Sequence, residues 1–370
     1  MRILVVNAGS SSLKLRLLDE TDLVVASADV PAPDGEPDTT ATHEALAKLT
    51  EVEAIGHRIV HGGGEFTGPV LVDGDVVRRL KALSDLAPLH QSRSLAALDA
   101  VSALFPAAPA VACFDTAFHA GIGQAAATYA IPLHWRERWR LKRYGFHGLS
   151  HAYASRRGAE LVGRPLEELR IVTCHLGAGA SLAAVQGGRS VDTTMGFTPL
   201  EGLVMATRSG SLDPGLVLWL EEHAGMRPAD LAFTLEHQSG LLALAGTPDM
   251  PSVLSGAAAG RPDARLALEV YLHRLRAGIA SMAAAMGAID CLIFTGGVGE
   301  NSSEIRDGAA RGLGFLGIQV DAQHNTSGPS DRDISAPESR VRTVVVAARE
   351  DIQIAREVRQ VLGRDTPLGS

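Results

Sequence analysis

Cysteine is scarce. The chain has three in 370 residues, Cys113, Cys174 and Cys291, each in or beside an apolar run and none in a C-x-x-C spacing. That pattern reads as buried, reduced thiols of a cytoplasmic protein. Long uninterrupted apolar runs are also missing. Residues 277–294 come nearest, but Asp290 interrupts them, and they read as a buried Ala-rich helix followed by a strand. The apolar run at the N-terminus is too short for a signal peptide. Positive charge is not in excess: the net charge is −8, which argues against general affinity for nucleic acid or anionic membranes. An anionic substrate therefore needs a local group of Arg, Lys and His inside a cleft. Two catalytic signatures are absent as well. Without G-x-x-x-x-G-K-[ST] the chain is no P-loop kinase. Without G-x-S-x-G, the run His61-Gly62-Gly63-Gly64 is not the oxyanion strand of an esterase.

What is present begins with a strand–loop–strand unit at residues 2–18. Residues 3–6 are apolar and rich in β-branched side chains, the mark of a buried strand. Leu13, Leu15 and Leu17 alternate with Lys14 and Arg16, a second strand with one wetter face. Between them, Asn7-Ala8-Gly9-Ser10-Ser11-Ser12 predicts a hairpin turn. Its tip carries an amide, three hydroxyls, backbone N–H groups and a cation at Lys14, the parts of a phosphate cradle. Gly and Ser are also ordinary turn residues, so recurrence matters. Residues 171–185 repeat the pattern, with His175 in the place of Asn7 and Gly177 in the place of Gly9. A third apolar run, residues 291–295, ends in Gly296-Gly297-Val298-Gly299-Glu300-Asn301. Three Gly-rich turns after three strands, in a chain long enough for two full cores, suggest a duplicated α/β protein with its loops gathered on one cleft. That is the geometry of actin-like ATPases and sugar kinases.

The rest of the chain reads as alternating helices and strands. Residues 29–43 are Pro- and Asp-rich and predict a surface loop. Helices are expected over 44–49, 76–86 (ended by Pro88), 93–104, 153–161, 215–222 and 266–286, with a final one to about Leu362. Strands are expected over 54–60, 111–114 and 341–347.

Eight stretches, in order, carry a specific resemblance: 6–13 (VNAGSSSL), 57–63 (HRIVHGG), 114–119 (FDTAFH), 144–151 (YGFHGLSH), 174–181 (CHLGAGAS), 195–202 (MGFTPLEG), 207–210 (TRSG) and 294–302 (FTGGVGENS). The chain resembles the acetate kinase family almost end to end. The resemblance implies two duplicated actin-like ATPase (ribonuclease H-like) domains around a central nucleotide cleft. Residues 1–118 with the returning 352–370 would form domain I, and 119–351 domain II. It implies a cytoplasmic homodimer acting on small molecules, with no nucleic-acid or membrane partner. The implied reaction is reversible, Mg²⁺-dependent (Mn²⁺ as the alternative) phosphoryl transfer between ATP and acetate, giving acetyl phosphate and ADP.

A loose phosphoryl-transfer transition state spreads charge over three equatorial oxygens, so cations and a metal must surround it. By resemblance, Arg58 and Arg208 are the catalytic arginines and His147 the transition-state histidine. Asp115 orients an arginine and the attacking carboxylate; it need not be a general base, since that nucleophile has no proton to lose. Asn7 and Glu350 match the metal-site residues, although Glu350 also suits a helix N-terminus electrostatically. Ser10, Ser12, Lys14, His175, Gly177 and Gly179 match phosphate contacts, and Asp249, Gly297 and Asn301 the nucleotide site. Val60, Leu89, Phe146 and Pro199 match the small apolar pocket for the substrate methyl; Arg58 also faces the carboxylate. The four-residue spacing of His147 and His151 suits one helical face, but two histidines fall short of a zinc site.

Departures concentrate on the nucleotide side. The family usually has Asn where this chain has Ala178, and an Asp-Phe-Arg-like run where it has Asp249-Met250-Pro251. It usually has Thr at Leu149, Asn-Pro at Gln91-Ser92, and often Asn at Arg349. A propionate or butyrate kinase is the near alternative, a pyrophosphate-using variant a more remote one. A non-catalytic actin-like ATP-binding module would have no reason to carry Arg58, Arg208 and His147 together.

Overall fold

The computed structural model describes residues 1–9, 12–32, 39–47, 49, 51–83 and 88–363. The chain divides into two compact units. Met1–Ala120, Phe146–Tyr153 and Arg349–Ser370 form the first; Gly121–Gly145 and Ala154–Ala348 form the second.

The first unit is built on a six-stranded sheet of β1 (Ile3–Ala8), β2 (Ser12–Leu18), β3 (Val24–Pro31), β4 (Ala54–Ile59), β5 (Val70–Leu71) and β6 (Ala110–Phe114), in the order β3-β2-β1-β4-β6-β5. The hairpin read from residues 2–18 is there: β1 and β2 pair antiparallel, with Asn7 opposite Lys14. β4 then lies parallel to β1, and β6 parallel to β4. Strand alternation sends β1 side chains to two cores. Leu4 and Val6 pack with Leu13, Leu15, Ile55 and Val101 on one face. Ile3 and Val5 pack with Cys113, Leu149, Ile354 and Val358 on the other. The second face is covered by the last helix, Glu350–Val361. It comes close enough that a Cβ on Gly56 would stand 2.4 Å from the Ile354 side chain. Only glycine allows that approach without displacement.

The second unit repeats the plan. Its sheet holds β7 (Arg170–Leu176), β8 (Ala180–Gln186), β9 (Arg189–Thr193), β10 (Cys291–Thr295), β11 (Arg332–Asp333) and β12 (Arg342–Val345), in the order β11-β12-β10-β7-β8-β9. Numbered from its own first strand, each sheet reads 3-2-1-4-6-5. In both, an antiparallel three-strand meander continues into parallel strands and ends on a short antiparallel edge. Two copies of this topology are the duplicated actin-like α/β fold. The helix Pro262–Ala285 buries Ala267, Tyr271, Leu275, Ile279 and Met282, the three-and-four spacing of one helical face. All three cysteines are free and buried, and no described helix is long and apolar enough to cross a membrane.

Several local expectations need correction. Pro88 does not end a helix; it opens Pro88–Leu104, as a residue with no N–H to lose can do in a first turn. The Gly296–Asn301 stretch is not a turn but a short helix starting directly after β10. Residues 29–31 finish β3 rather than begin a loop. Phe146–Tyr153 groups with the first unit. The reason is packing: Gly148 N–H donates to the Asp115 carbonyl at 2.8 Å, and Leu149 sits in the core with Val5, Cys113 and Ile354.

Candidate active site

In the first unit the chemistry collects at the ends of β1, β4 and β6. β4 ends in Arg58-Ile59 and β6 in Phe114, with Asp115 following. Arg58 grips Asp115 with two nitrogens, Nε to Oδ1 at 3.1 Å and Nη2 to Oδ2 at 2.5 Å. Its third nitrogen, Nη1, donates to Asn7 Oδ1 at 3.1 Å. Asn7 Nδ2 in turn donates to Glu350 Oε2 at 3.0 Å, and Glu350 stands 3.8 Å from Arg58 Nε. Four predicted residues, from the first strand to the last helix, are thus one connected group. Asp115 is 1% exposed. Burial lifts its carboxyl to about 6 against the downward pull of the Arg58 guanidinium, with Glu350 adding a smaller upward push. Burial alone would lower Arg58, but the Asp115 and Glu350 carboxylates outweigh it and hold the guanidinium above its ordinary pKa.

His147 stands beside this group on a strained backbone, with φ of +57°. A non-glycine residue there costs about 1 kcal/mol. The flanking hydrogen bonds hold it: Gly148 N–H to the Asp115 carbonyl at 2.8 Å, and His151 N–H to the His147 carbonyl at 2.9 Å. A Cβ on Gly148 would fall 2.3 Å from the Asp115 oxygen, so the next residue must be glycine for this approach to exist. His119 fixes the other side. Its Nε2 lies 3.0 Å from the Phe146 carbonyl and donates to it, and burial lowers its pKa to about 4, so the ring is neutral.

The predicted pocket residues Val60 and Phe146 are buried in this unit. Phe146 packs edge-on against His61, ring centres 5.4 Å apart. Gln91, a departure from the family pattern, is fully buried and clamps His61 from both sides. It accepts from the His61 N–H at 3.3 Å and donates to the His61 carbonyl at 3.1 Å. Nothing in the sequence distinguished Gln91 as a brace, because its partner is thirty residues away. Leu89 lies in the helix Pro88–Leu104, its side chain outside the described set, and Ser10 lies outside the described residues. Lys14 is exposed on β2, and the Ser12 carbonyl accepts from Gly9 N–H at 2.9 Å to close the turn.

In the second unit, His175 occupies the end of β7, in register with Ser181 and Thr295. Gly177-Ala178-Gly179 forms a tight bend after it, closed by Gly177 N–H to the Gly179 carbonyl at 3.0 Å. Gly297 and Asn301 belong to the short helix after β10, and Asn301 Nδ2 donates to the Gly297 carbonyl at 2.8 Å. A Cβ on Gly297 meets nothing within 4 Å; on Gly296, where φ is +79°, it would strike the Leu176 carbonyl at 2.8 Å. Gly296, passed over in the sequence, is therefore the glycine this loop needs. Arg306 braces the same helix, donating to the carbonyls of Gly299 and Glu300, each at 2.8 Å. Asp249 caps the helix Met250–Ala258 through Ser252 N–H at 3.0 Å. Pro251 in that first turn has the same local logic. Arg208 is half-buried in a loop, its Nη1 donating to the Pro199 carbonyl at 3.2 Å. Burial lowers its pKa, with Glu236 pulling the other way and no ion pair formed among the described residues.

Paired glycine-turn hairpins, each on a sheet of one topology, together with arginines held at strand and loop ends, define a phosphoryl-transferring enzyme of the actin-like class. The comparisons narrow this. The family model described as the acetokinase family matches residues 37–356. An acetate kinase of Microcystis aeruginosa is 42% identical, over 96% of this chain and 98% of that one. Among solved structures, an acetate kinase of Porphyromonas gingivalis superposes with a TM-score of 0.89 at 33% identity, covering 98% of this chain and 99% of its own. A propionate kinase of Francisella tularensis gives 0.90 at 34%, covering 97% and 99%. The chain belongs to the acetokinase family and is a phosphotransferase with a carboxyl group as acceptor.

Proposed function

We propose that this enzyme transfers phosphoryl groups reversibly between ATP and acetate, and that Arg58, Asp115, His147 and Arg208 carry the step. The observation that carries the reading is the fork of Arg58 on Asp115, with Asn7 and Glu350 joined to it. Asp115 holds the guanidinium in one orientation, so its charge is already aimed when a substrate carboxylate arrives. Arg208, which has the Pro199 carbonyl and no ion pair among the described residues, keeps its charge for transferring phosphoryl oxygens. His147 donates from a backbone held in place by Gly148 and His151. The family resemblance gives Val60, Leu89, Phe146 and Pro199 to the acceptor's methyl, Ser10, Ser12, Lys14, His175, Gly177 and Gly179 to the phosphates, and Asp249, Gly297 and Asn301 to the nucleoside.

The family's reaction uses ATP with a divalent metal. We assign Mg²⁺, with Mn²⁺ as a substitute, to Glu350 and Asn7. The donor chemistry fits: a carboxylate and an amide oxygen are hard ligands, although here Asn7 meets Glu350 through Nδ2 and its Oδ1 accepts from Arg58. No three His, Cys, Asp or Glu side chains form a cage among the described residues, which suits an ion that arrives with nucleotide and keeps waters. When bound, the ion neutralises charge on the nucleotide phosphates.

A homodimer is supported by the helix Pro214–Ala224, which buries none of its residues although Leu216, Leu218 and Trp219 are apolar. Such a face is stable in water when another protein surface covers it. The three buried thiols suit a cytoplasmic site of action.

A hydroxamate assay with acetate, propionate and butyrate, each with ATP or pyrophosphate, tests the reading. Acetate with ATP is expected to give the highest kcat/KM. A higher value for propionate or butyrate moves the enzyme to that acceptor, and turnover with pyrophosphate alone replaces the donor.

A further inference from the structure

We infer that Glu201, together with Arg143 and Tyr129, is a positioning device that sets where the guanidinium of Arg208 stands. The inference rests on the reading of Arg208 as catalytic. Between the end of β9 at Thr193 and the helix starting at Pro214, residues 194–213 contain no helix or strand. Irregular stretches of this length inside a compact domain are uncommon and tend to be functional. A free loop would leave Arg208 spread over many positions, at a cost in rate.

The loop is not free. Arg143 Nη1 donates to three successive carbonyls, Thr193 and Thr194 at 3.2 Å each and Met195 at 3.1 Å. Its Nη2 donates to Glu201 Oε1 at 2.8 Å. Tyr129 donates its hydroxyl to Glu201 Oε2 at 2.5 Å and accepts from Phe197 N–H at 2.9 Å. The guanidinium of Arg143 also lies 5.7 Å from the Tyr129 ring centre. Glu201 therefore ties two ends of a bend whose apex, Gly196, has no room for a side chain. A Cβ there would fall 1.7 Å from Glu201 Oε2 and 2.2 Å from the Tyr129 oxygen. The Gly196 carbonyl is taken by Tyr144 N–H at 3.0 Å.

The bend leads directly to Arg208. Pro199, two residues before Glu201, presents the carbonyl that accepts from Arg208 Nη1 at 3.2 Å. The Arg208 carbonyl accepts from Met205 N–H at 3.1 Å, and the Gly202 carbonyl from Ser211 N–H at 3.0 Å. With no ion pair gripping Arg208 among the described residues, this backbone acceptor orients it, with Met205 Sδ a weaker contact of the same nitrogen at 3.8 Å. Moving Glu201 moves that acceptor. Burial and the Glu201 carboxylate keep the Tyr129 hydroxyl protonated, so it remains a donor.

A double-mutant cycle separates positioning from ordinary stabilisation. Glu201→Gln keeps the size of the side chain and removes its charge. In the otherwise intact enzyme it is expected to lower kcat about 10- to 100-fold, with KM for acetate and ATP changed less than about 3-fold. In the Arg208→Ala background the same change is expected to add less than about 2-fold, because nothing is left to position. Tyr129→Phe, which removes one hydroxyl, follows the same non-additive pattern with a smaller drop and serves if Glu201→Gln does not fold. Full multiplication of the two effects, or a normal kcat in folded Glu201→Gln, overturns the inference and leaves Arg208 catalytic. A normal kcat in Arg208→Ala alone removes Arg208 from the reaction, and the inference falls with it.

Discussion

Two arginines that look alike in sequence stand in opposite settings. Arg58 is locked onto the buried Asp115 by two hydrogen bonds, whereas Arg208 has a backbone carbonyl and no ion pair among the described residues. Removing them should therefore fail in different ways. Arg208→Ala is expected to cost on the order of 10²–10³ in kcat, as for a lost oxyanion donor, with little change in melting temperature. Arg58→Ala should cost a similar factor and also about 3–5 kcal/mol of stability, because it strands a buried carboxylate. Thermal melts beside steady-state kinetics check this; equal melting temperatures for the two variants would contradict the role of Asp115. Lysine should rescue either only partly, since it lacks the planar fork. Glu350→Ala addresses the metal: the Mg²⁺ concentration for half-maximal rate should rise before folding suffers. A lowered melting temperature with unchanged Mg²⁺ dependence would leave Glu350 as an acid at the start of the last helix, where it also sits.

At the scale of elements, the sheets place the loops and the helices crowd against them. The short helix after β10 begins on Gly296, whose positive φ and approach to the Leu176 carbonyl admit no side chain. Gly296→Ala is expected to lower the melting temperature by several degrees and to weaken ATP binding, as the strained backbone shifts. Gly297→Ala meets open space, so it should fold normally and raise KM for ATP if nucleotide lies on this helix. Unchanged KM for ATP in Gly297→Ala would place the nucleotide elsewhere. The first turn of Met250–Ala258 tells a related story. Ala178 and Pro251 suggest a weakened hold on nucleotide in sequence, but Pro251 beside the Asp249 cap is also a favoured way to start a helix.

For the whole molecule, buried titrating groups decide how it responds to acid. Both ring nitrogens of His57 are buried with no hydrogen-bond partner among the described residues, and burial lowers its pKa to about 3. His119 is lowered to about 4 by the same cause. The unfolded chain takes up protons on both near pH 6.5 and the folded chain does not, so stability is lost as pH falls below that value. Asp115 acts in the opposite sense. Its carboxyl, raised to about 6, favours the folded state as pH drops from 6 toward 4. Two histidines outweigh one carboxyl, and the net loss between pH 7 and pH 5 should be about 2 kcal/mol. Urea melts at the two pH values measure it, and His57→Gln should remove about half of the histidine contribution. Activity should also fall as Asp115 protonates, so the acid limb of kcat/KM is expected near pH 6.

Local pattern settled the hairpins and the strand cores. β1 alternates its apolar residues between two faces, and the glycine turns need backbone freedom whatever surrounds them. Arg58, Asp115 and Asn7 stand in stretches that carry the family resemblance, and Glu350 is named by that resemblance alone. Their contact could not be read there: Asn7 and Glu350 are 343 residues apart and meet only because the last helix packs back on β1 and β4. The grouping of Phe146–Tyr153 with the first unit had the same origin, one hydrogen bond to the Asp115 carbonyl and one leucine in a distant core. So did the clamp of Gln91 on His61 and the brace of Glu201 on Tyr129. Residue type and spacing fix what a side chain can do over a turn or a strand. Which polar groups end up sharing a hydrogen bond is decided when separate segments are buried together and each donor must find whatever acceptor the packing leaves within reach.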